Sequence, residues 1–432
     1  MKYVIASSRT LMALFFLFTA INIHVAQESW VKCGQEAMDD KNNLDIIAFE
    51  QWMEERMRLN PIGSARNLLQ IPVIVHIIHR GETIGSGRNL SQEQVLSQLE
   101  VLNEDFQRLP NTNGYNEHPA SAAIGISFCP AQQDENGTLL EEAGIHRYEG
   151  NRIQWTVEEV ELELKAQTYW NPDRYFNIWV VDLAENEEGT ILGYAQFPEA
   201  SGLSGIDTDT GPRQTDGVVI DYQYFGSVEK GNFSGLKAPF NLGRVATHET
   251  GHWLGLRHIW GDGNCGADDY CEDTPPSNGP NYDCDRSHFS CGSEDMVENY
   301  MDYTEDACLN VFTNDQKGRM LTVLNNSPRR QRLLESDACL VPSTTNLATT
   351  DLKLVPNPTI GNVTMNLQDN GDNDQTLEFT IRITNINGQL LLETTTLFGE
   401  VLEIDLTNYA PGIYLVNVSR ADFSKSWKLA KM

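Results

Sequence analysis

The sequence predicts two folded parts: a mixed α+β domain running to about Cys339, then a small all-β sandwich over residues 351–432. Three observations predict this. From Ile71 onward, apolar β-rich runs alternate with stretches of helical periodicity. After "VPSTTNLATT", residues 341–350, only short alternating β runs remain. A chain of 432 residues is also longer than one core usually fills.

The elements follow in order. Lys2 and Arg9 precede a short apolar run, Leu11–Ala20, with Ala26 as a cleavage position. The run is too short to span a bilayer comfortably, so residues 1–26 read as a removed signal peptide. In "LDIIAFEQWMEERMRL", Leu44, Ile47, Phe49, Trp52, Met53 and Met57 share a rough helical face, which "NPIGSARN" ends. Residues 27–65 read as a pro-segment; the alternative is a helix that simply packs on the main domain.

Residues 66–340 form the main domain. "IPVIVHIIH" predicts a strand. "LSQEQVLSQLEVLNEDFQRL" predicts a helix with a Ser91–Gln94 capping box and a face of Val95, Leu99, Leu102 and Phe106. Tyr175–Ala184, Gly193–Pro198 and Asp216–Tyr222 predict strands, and "NLGRVATHETGHWLG" a helix. Residues 341–350 are a polar linker. In the last part, Asn387-Gly388 predicts a hairpin turn.

Charge narrows the partners. Against 31 Lys+Arg stand 61 Asp+Glu, a net charge of −30, which disfavours nucleic acid and anionic membrane surfaces. No stretch after the first is long and apolar enough for a transmembrane segment. Five of the eight cysteines crowd into residues 265–308, and export would allow them to pair.

The chemistry lies in "HETGHWLGLRH", His248–His258. Side chains four apart on a helix point the same way, so His248 and His252 can hold one ion. Glu249 lies beside them, able to reach a water on the metal. Gly255 is free to end the helix sharply, and His258 can return as a third ligand. Three neutral ligands with an open position are the plan of a catalytic zinc rather than a structural one. Glu249 would then act as general base.

The extended HExxHxxGxxH pattern, with "ENYMDYTEDAC" downstream and "DDYCEDTP" between, resembles the metzincin metalloproteases, and within them the pappalysin family, over residues 30–340. The resemblance implies a twisted, mostly parallel sheet with an active-site helix and a C-terminal subdomain carrying a methionine turn. It implies Met301 as the hydrophobic base beneath the ligands, where the residues alone say core methionine. It implies Tyr303 as a hydroxyl near the metal.

"KCG", Lys32–Gly34, is similar to a cysteine switch, with Cys33 as a thiolate on the zinc; Val31 and Lys32 stand where the family pattern has arginine. Asp306 matches an aspartate at the floor of the pocket for the residue after the scissile bond, implying cleavage before Arg and Lys; the alternative is a surface aspartate in a turn. Cleavage at Ala65–Arg66 could then release the pro-segment.

The acidic run around Asp268, Asp269, Glu272, Asp273 and Thr274 suits calcium, as the family implies, or is a solvated acidic loop. The resemblance also implies Cys265–Cys291 and Cys284–Cys308 disulfides, leaving Cys129, Cys271 and Cys339 unassigned and one cysteine free.

At the C-terminus, "VPNPTIGNVT", "APGIYLV" and "KSWKLAKM" resemble the sorting domain of the type IX secretion system of Gram-negative bacteria; a substrate-binding β module is the alternative. The expected protein is thus a secreted zinc endopeptidase, made latent, whose partners are protein substrates and the secretion machinery. Its rivals are a surface adhesin on the same scaffold and a metzincin of another family.

Overall fold

The structure is a computed structural model that describes residues 30–34, 43–59, 68–185, 189–198, 212–340, 350–369, 378–397, 401–420 and 423–432. The expected signal peptide, the Ala65–Arg66 bond and linker residues 341–349 lie outside them.

The N-terminal part contributes a short strand β1 (Trp30–Val31) and a helix α1 (Asn43–Leu59). The main domain opens with β2 (Leu69–His79), the helix α2 (Gln92–Gln107), β3 (Ile126–Pro130) and β4 (Ile145–Glu149). A short helix α3 (Val157–Glu159) continues through a π turn, Val160–Leu164, into Lys165–Thr168. Then come β5 (Phe176–Val181), β6 (Thr190–Ile191), β7 (Gly193–Ala195), β8 (Val218–Asp221) and α4 (Arg244–Trp253).

Strands β2, β3, β4, β5 and β8 are parallel, and β7 is the antiparallel edge beyond β8. The long β2 pairs with β3 and β4 in turn on one side and with β5 on the other. Strands β2, β5 and β8 are buried on both faces and read as mainly apolar runs, whereas β4 is buried only at Ile145. Alternation sorts β5: Phe176, Ile178 and Val180 join the large core with α2 and α4, while Trp179 and Val181 pack with Val160 and Leu164 beneath the other face.

The helix α2 buries Val95, Leu99, Leu102 and Phe106. Its expected capping box is only half formed. The Ser91 hydroxyl accepts from the Gln94 amide at 3.3 Å, but the Gln94 side chain donates to Phe225 O at 2.8 Å, because a buried loop carbonyl outcompetes the reciprocal bond.

After α4 the chain forms a loop-rich segment with a two-stranded ribbon, β9 (Phe289–Ser290) and β10 (Ser293–Glu294), and closes with α5 (Asn314–Asn326) and α6 (Pro328–Leu333). Disulfides Cys265–Cys291 and Cys284–Cys308 staple this segment, and Cys129–Cys339 ties β3 to the domain's end. Cys33 and Cys271 form no disulfide, and both are buried.

The C-terminal part is all antiparallel. A three-stranded sheet, β11 (Thr350–Val355), β12 (Asn362–Asp369) and β15 (Val401–Asp405), faces a four-stranded sheet. The second sheet contains β13 (Glu378–Asn385), β14 (Leu390–Leu397), β16 (Gly412–Arg420) and β17 (Phe423–Lys431). Val363, Met365 and Ile404 from one sheet share a core with Phe379, Ile381, Val416 and Leu429 from the other, which makes it a sandwich. Gly388, at φ +79°, makes the β13–β14 turn. Among the described residues no helix is long and apolar enough to cross a membrane.

Candidate active site

The helix α4 carries the site and is pinned at both ends. At its start, Gly243 takes a left-handed conformation (φ +87°), and the Asp306 carboxylate accepts from the amides of Leu242 (2.9 Å) and Arg244 (3.2 Å). Arg244 in turn reaches Asp105 of α2 at 3.3 Å. The helix ends at Gly255, also at φ +87°, where a Cβ would stand 2.9 Å from Val323. Both the backbone angle and the packing therefore require glycine there.

That geometry brings three rings together. His248 Nε2 and His252 Nε2 are 3.1 Å apart, His252 Nε2 and His258 Nε2 3.1 Å, and His248 Nε2 and His258 Nε2 3.3 Å. Each Nδ1 is held from behind, by Tyr300 O at 2.7 Å, Leu256 O at 2.9 Å and the Asp262 carboxylate respectively. These acceptors fix the proton on Nδ1 and leave the Nε2 lone pairs convergent. Burial, and then the neighbouring histidines, drive the His248 pKa well below its ordinary value, and burial with His258 pushes His252 down to about 3. Neutral imidazoles are the ligand form.

Cys33 completes the set. Its Sγ and the three Nε2 atoms lie within 4.8 Å of one another, all buried, and they are the one such group of metal-ligating side chains among the described residues. Three nitrogens and a sulfur fit a tetrahedral zinc. Cys33 Sγ also lies 3.4 Å from Glu249 Oε2, while Glu249 Oε1 is buried without a hydrogen-bond partner among the described residues. Burial raises the Glu249 carboxyl well above the ordinary range, against the pull of Cys33 and Lys32.

Met301 lies against the helix: a Cβ on Gly251 would come within 2.5 Å of its Sδ. That glycine, inside "HETGH", makes room for the methionine. Tyr303 is buried beside His258, with ring centres 4.9 Å apart, and its hydroxyl donates to Cys33 O at 3.3 Å.

Lys32 is wholly buried. Its Nζ donates to Thr304 O at 2.8 Å and Asp302 O at 3.1 Å. Burial lowers its pKa to about 8, opposed first by the field of Asp306. Asp306 is 1% exposed, so the reading of it as a surface turn residue is not met. Its Oδ1 is buried with no hydrogen-bond partner among the described residues.

The acidic loop does not gather in the same way. Asp268 accepts from the Tyr270 amide at 2.8 Å, a local turn. Asp273 and Asp315 exchange backbone bonds, and the Glu272 amide also donates to Asp315. Only Asp269 and Thr274 meet: Thr274 Oγ1 lies 2.9 and 2.8 Å from the two Asp269 oxygens and 2.8 Å from Cys271 O. Burial raises the Asp269 pKa to about 7.

Sequence reasoning missed Asp262, Gly251, the burial of Lys32 against Asp302 and Thr304, and the pairing of Glu50 with Arg257 and Arg319. The first had a usable signal, since Asp262 lies four residues after His258. The others depend on contacts between distant segments.

An extracellular metalloprotease of the fungus Colletotrichum graminicola is 33% identical over 308 residues, covering 70% of this chain and 91% of that protein. A family profile for peptidase M43, described as pregnancy-associated plasma protein-A, matches residues 161–325. The chain belongs to the pappalysin family of metalloproteases.

Among solved pappalysin structures, a promirolysin mutant from Tannerella forsythia is 32% identical, with a TM-score of 0.57 over 70% of this chain and 97% of that one. Mature mirolysin in complex with a cleaved peptide is 35% identical, with a TM-score of 0.51 over 62% and 96%. A secretion-system C-terminal sorting domain matches residues 353–431. This pappalysin is therefore a secreted metalloendopeptidase with a sorting domain, and its family implies zinc.

Proposed function

We propose that this pappalysin is made as a latent zinc endopeptidase and cuts on the amino side of arginine and lysine. The observation that carries the reading is the convergence of three histidine Nε2 atoms within 3.3 Å of one another, with Glu249 and the Cys33 thiol against them. His248, His252 and His258 would hold the ion. Zinc in that position supplies Lewis acidity toward a water and a peptide carbonyl.

The chain's own groups do the rest. Glu249 takes the proton of the attacking water and returns it to the leaving amine. Tyr303 Oη, now donating to the carbonyl of Cys33, would donate to the scissile carbonyl oxygen in its place.

Latency follows from the same residues. Cys33 would take the open ligand position and exclude water, and Lys32, whose ammonium is held by Asp302 O and Thr304 O in the field of Asp306, would occupy that pocket as a basic side chain of a substrate would. Arginine is longer and forked, and could reach the Asp306 Oδ1 that Lys32 leaves without a hydrogen bond. The related promirolysin bears the name of a pro-form, which supports the reading of residues 27–65 as a pro-segment.

Calcium would sit at Asp269 and Thr274. A hydroxyl with one proton there faces three oxygens within 2.9 Å, a crowding that a hard cation relieves. Asp268 and Asp273 flank it and would contribute only by rearranging. Residues 1–26 would direct export, and residues 351–432 would carry the enzyme across the outer membrane of a Gram-negative cell.

The test is mass mapping of cuts in a mixed peptide library by the matured enzyme, with and without a zinc chelator. Cuts before Arg and Lys that stop with chelator are expected. Cuts mainly before apolar residues, or hydrolysis indifferent to chelator, would overturn the reading.

A further inference from the structure

The helix α1 is anchored to the protease domain by charge as well as by apolar contact. Glu50 is 8% exposed, and two guanidinium groups share its carboxylate. Arg319 donates Nη1 to Oε2 at 2.7 Å and Nη2 to Oε1 at 3.0 Å; Arg257 donates Nε to Oε1 at 2.9 Å. Phe49, Trp52 and Met53 pack around it with Val323. Arg319 also bonds Gly255 O at 3.1 Å, and Arg257 lies over the Phe197 ring at 5.5 Å. Asp269, whose field also reaches Arg319, is already engaged by Thr274 and the Cys271 amide.

This anchor borders the active site. The Phe197 ring is 5.8 Å from Phe49 and 6.1 Å from His252, so one aromatic side chain walls both the Glu50 site and a metal ligand. Arg257 directly precedes His258.

Chain direction shows which side of the cleft it borders. The N-terminal segment runs from Lys32, bonded to Asp302 O and Thr304 O in the field of Asp306, past Cys33 at the histidines, to Gly34, whose amide donates to Gly193 O at 2.8 Å. The edge strand leads on from Gly193 through Ala195 towards Phe197. A substrate with its basic residue in the Asp306 pocket, just after the scissile bond, lays its preceding residues along the path of Gly34. They head towards Phe197 and the two arginines.

We propose that Arg257 and Arg319 form a subsite for an acidic side chain upstream of the scissile bond, opened when α1 is removed. This rests on the reading of residues 27–65 as a pro-segment lost on maturation and on cleavage before basic residues. Glu50 is the built-in occupant, and it displays the ligand chemistry: a carboxylate held by charge-assisted, partly bidentate bonds. Losing α1 takes that carboxylate away from two guanidinium groups set into the domain, and a substrate carboxylate restores the pairing.

The test uses the matured enzyme, with N-terminal sequencing and intact mass first establishing that α1 is gone. Quenched fluorescent peptides with a single arginine carry Glu or Gln, stepped through the positions upstream of the bond. At one position the Glu peptide should be cut about three- to tenfold faster in kcat/KM than its Gln twin. The Glu/Gln ratio should fall to about one in Arg257→Gln and partly recover in Arg257→Lys. The ratio does not depend on how much active protein each variant yields.

Equal rates for Glu and Gln at every position, a ratio that survives Arg257→Gln, or α1 still bound after maturation would each overturn the subsite. If no arginine peptide is cut at all, the cleavage reading fails instead, so the two failures are distinguishable.

Discussion

The histidine motif and the acidic loop are both rich in metal-ligating side chains, yet only one closes into a site of convergent ligands. His248 and His252 project from a regular helix, so a spacing of four fixes their meeting in advance. The loop from Asp268 to Thr274 has no such frame. Its carboxylates are taken up by nearby backbone amides: Asp268 by Tyr270, Asp269 by Cys271, and Asp273 by Asp315. Ligand density is therefore weaker evidence for a site than ligand density on a rigid element. Asp269 and Thr274 remain the one point in the loop where oxygens crowd together.

Substitutions in the helix and in the loop should separate the two regions. The largest effect belongs to the helix. Glu249→Ala should keep its zinc, measured by metal analysis, while peptide hydrolysis falls about 10²- to 10⁴-fold. Comparable turnover by the variant would remove Glu249 from the mechanism. Next is Cys33→Ala, which should give a precursor already active towards small peptides; a fully latent variant would move the switch elsewhere.

Asp306→Asn keeps an acceptor for the Leu242 and Arg244 amides but not the charge. Its preference for arginine over a neutral residue should drop about tenfold or more in kcat/KM, with zinc content intact. An unchanged preference would relocate the pocket floor. The smallest effect belongs to the loop. Removing calcium, or Asp269→Asn, should lower the melting temperature by a few degrees, about what loss of 1–2 kcal/mol does in a domain of this size. A melting temperature indifferent to calcium would leave the loop a hydrogen-bonded turn and nothing more.

What was legible in the sequence follows the same division. The main domain's strands could be read because runs such as "IPVIVHIIH" are rich in apolar and β-branched residues, whereas the parallel order of the sheet was implied only by the family resemblance. The sandwich could be read because β12 and β16 alternate. Gly255 marked the helix end because its backbone angle leaves little choice.

What stayed hidden was decided by partners far along the chain. Nothing local shows that Lys32, a residue type almost always exposed, is buried against Asp302 and Thr304 some 270 residues away. Nothing local shows that Gln94 abandons its capping role for Phe225 O. The Cys129–Cys339 pairing spans 210 residues and could be assigned only by folding the domain between them.

The central claim is that the latent protein holds its metal with three histidines and Cys33. Zinc K-edge X-ray absorption on the purified precursor tests it without reference to activity. The expected result is one zinc per chain with three nitrogen ligands and one sulfur near 2.3 Å, about the usual zinc–thiolate distance, the sulfur vanishing in Cys33→Ala. A precursor whose zinc has only nitrogen and oxygen neighbours, or the same spectrum in Cys33→Ala, would contradict it.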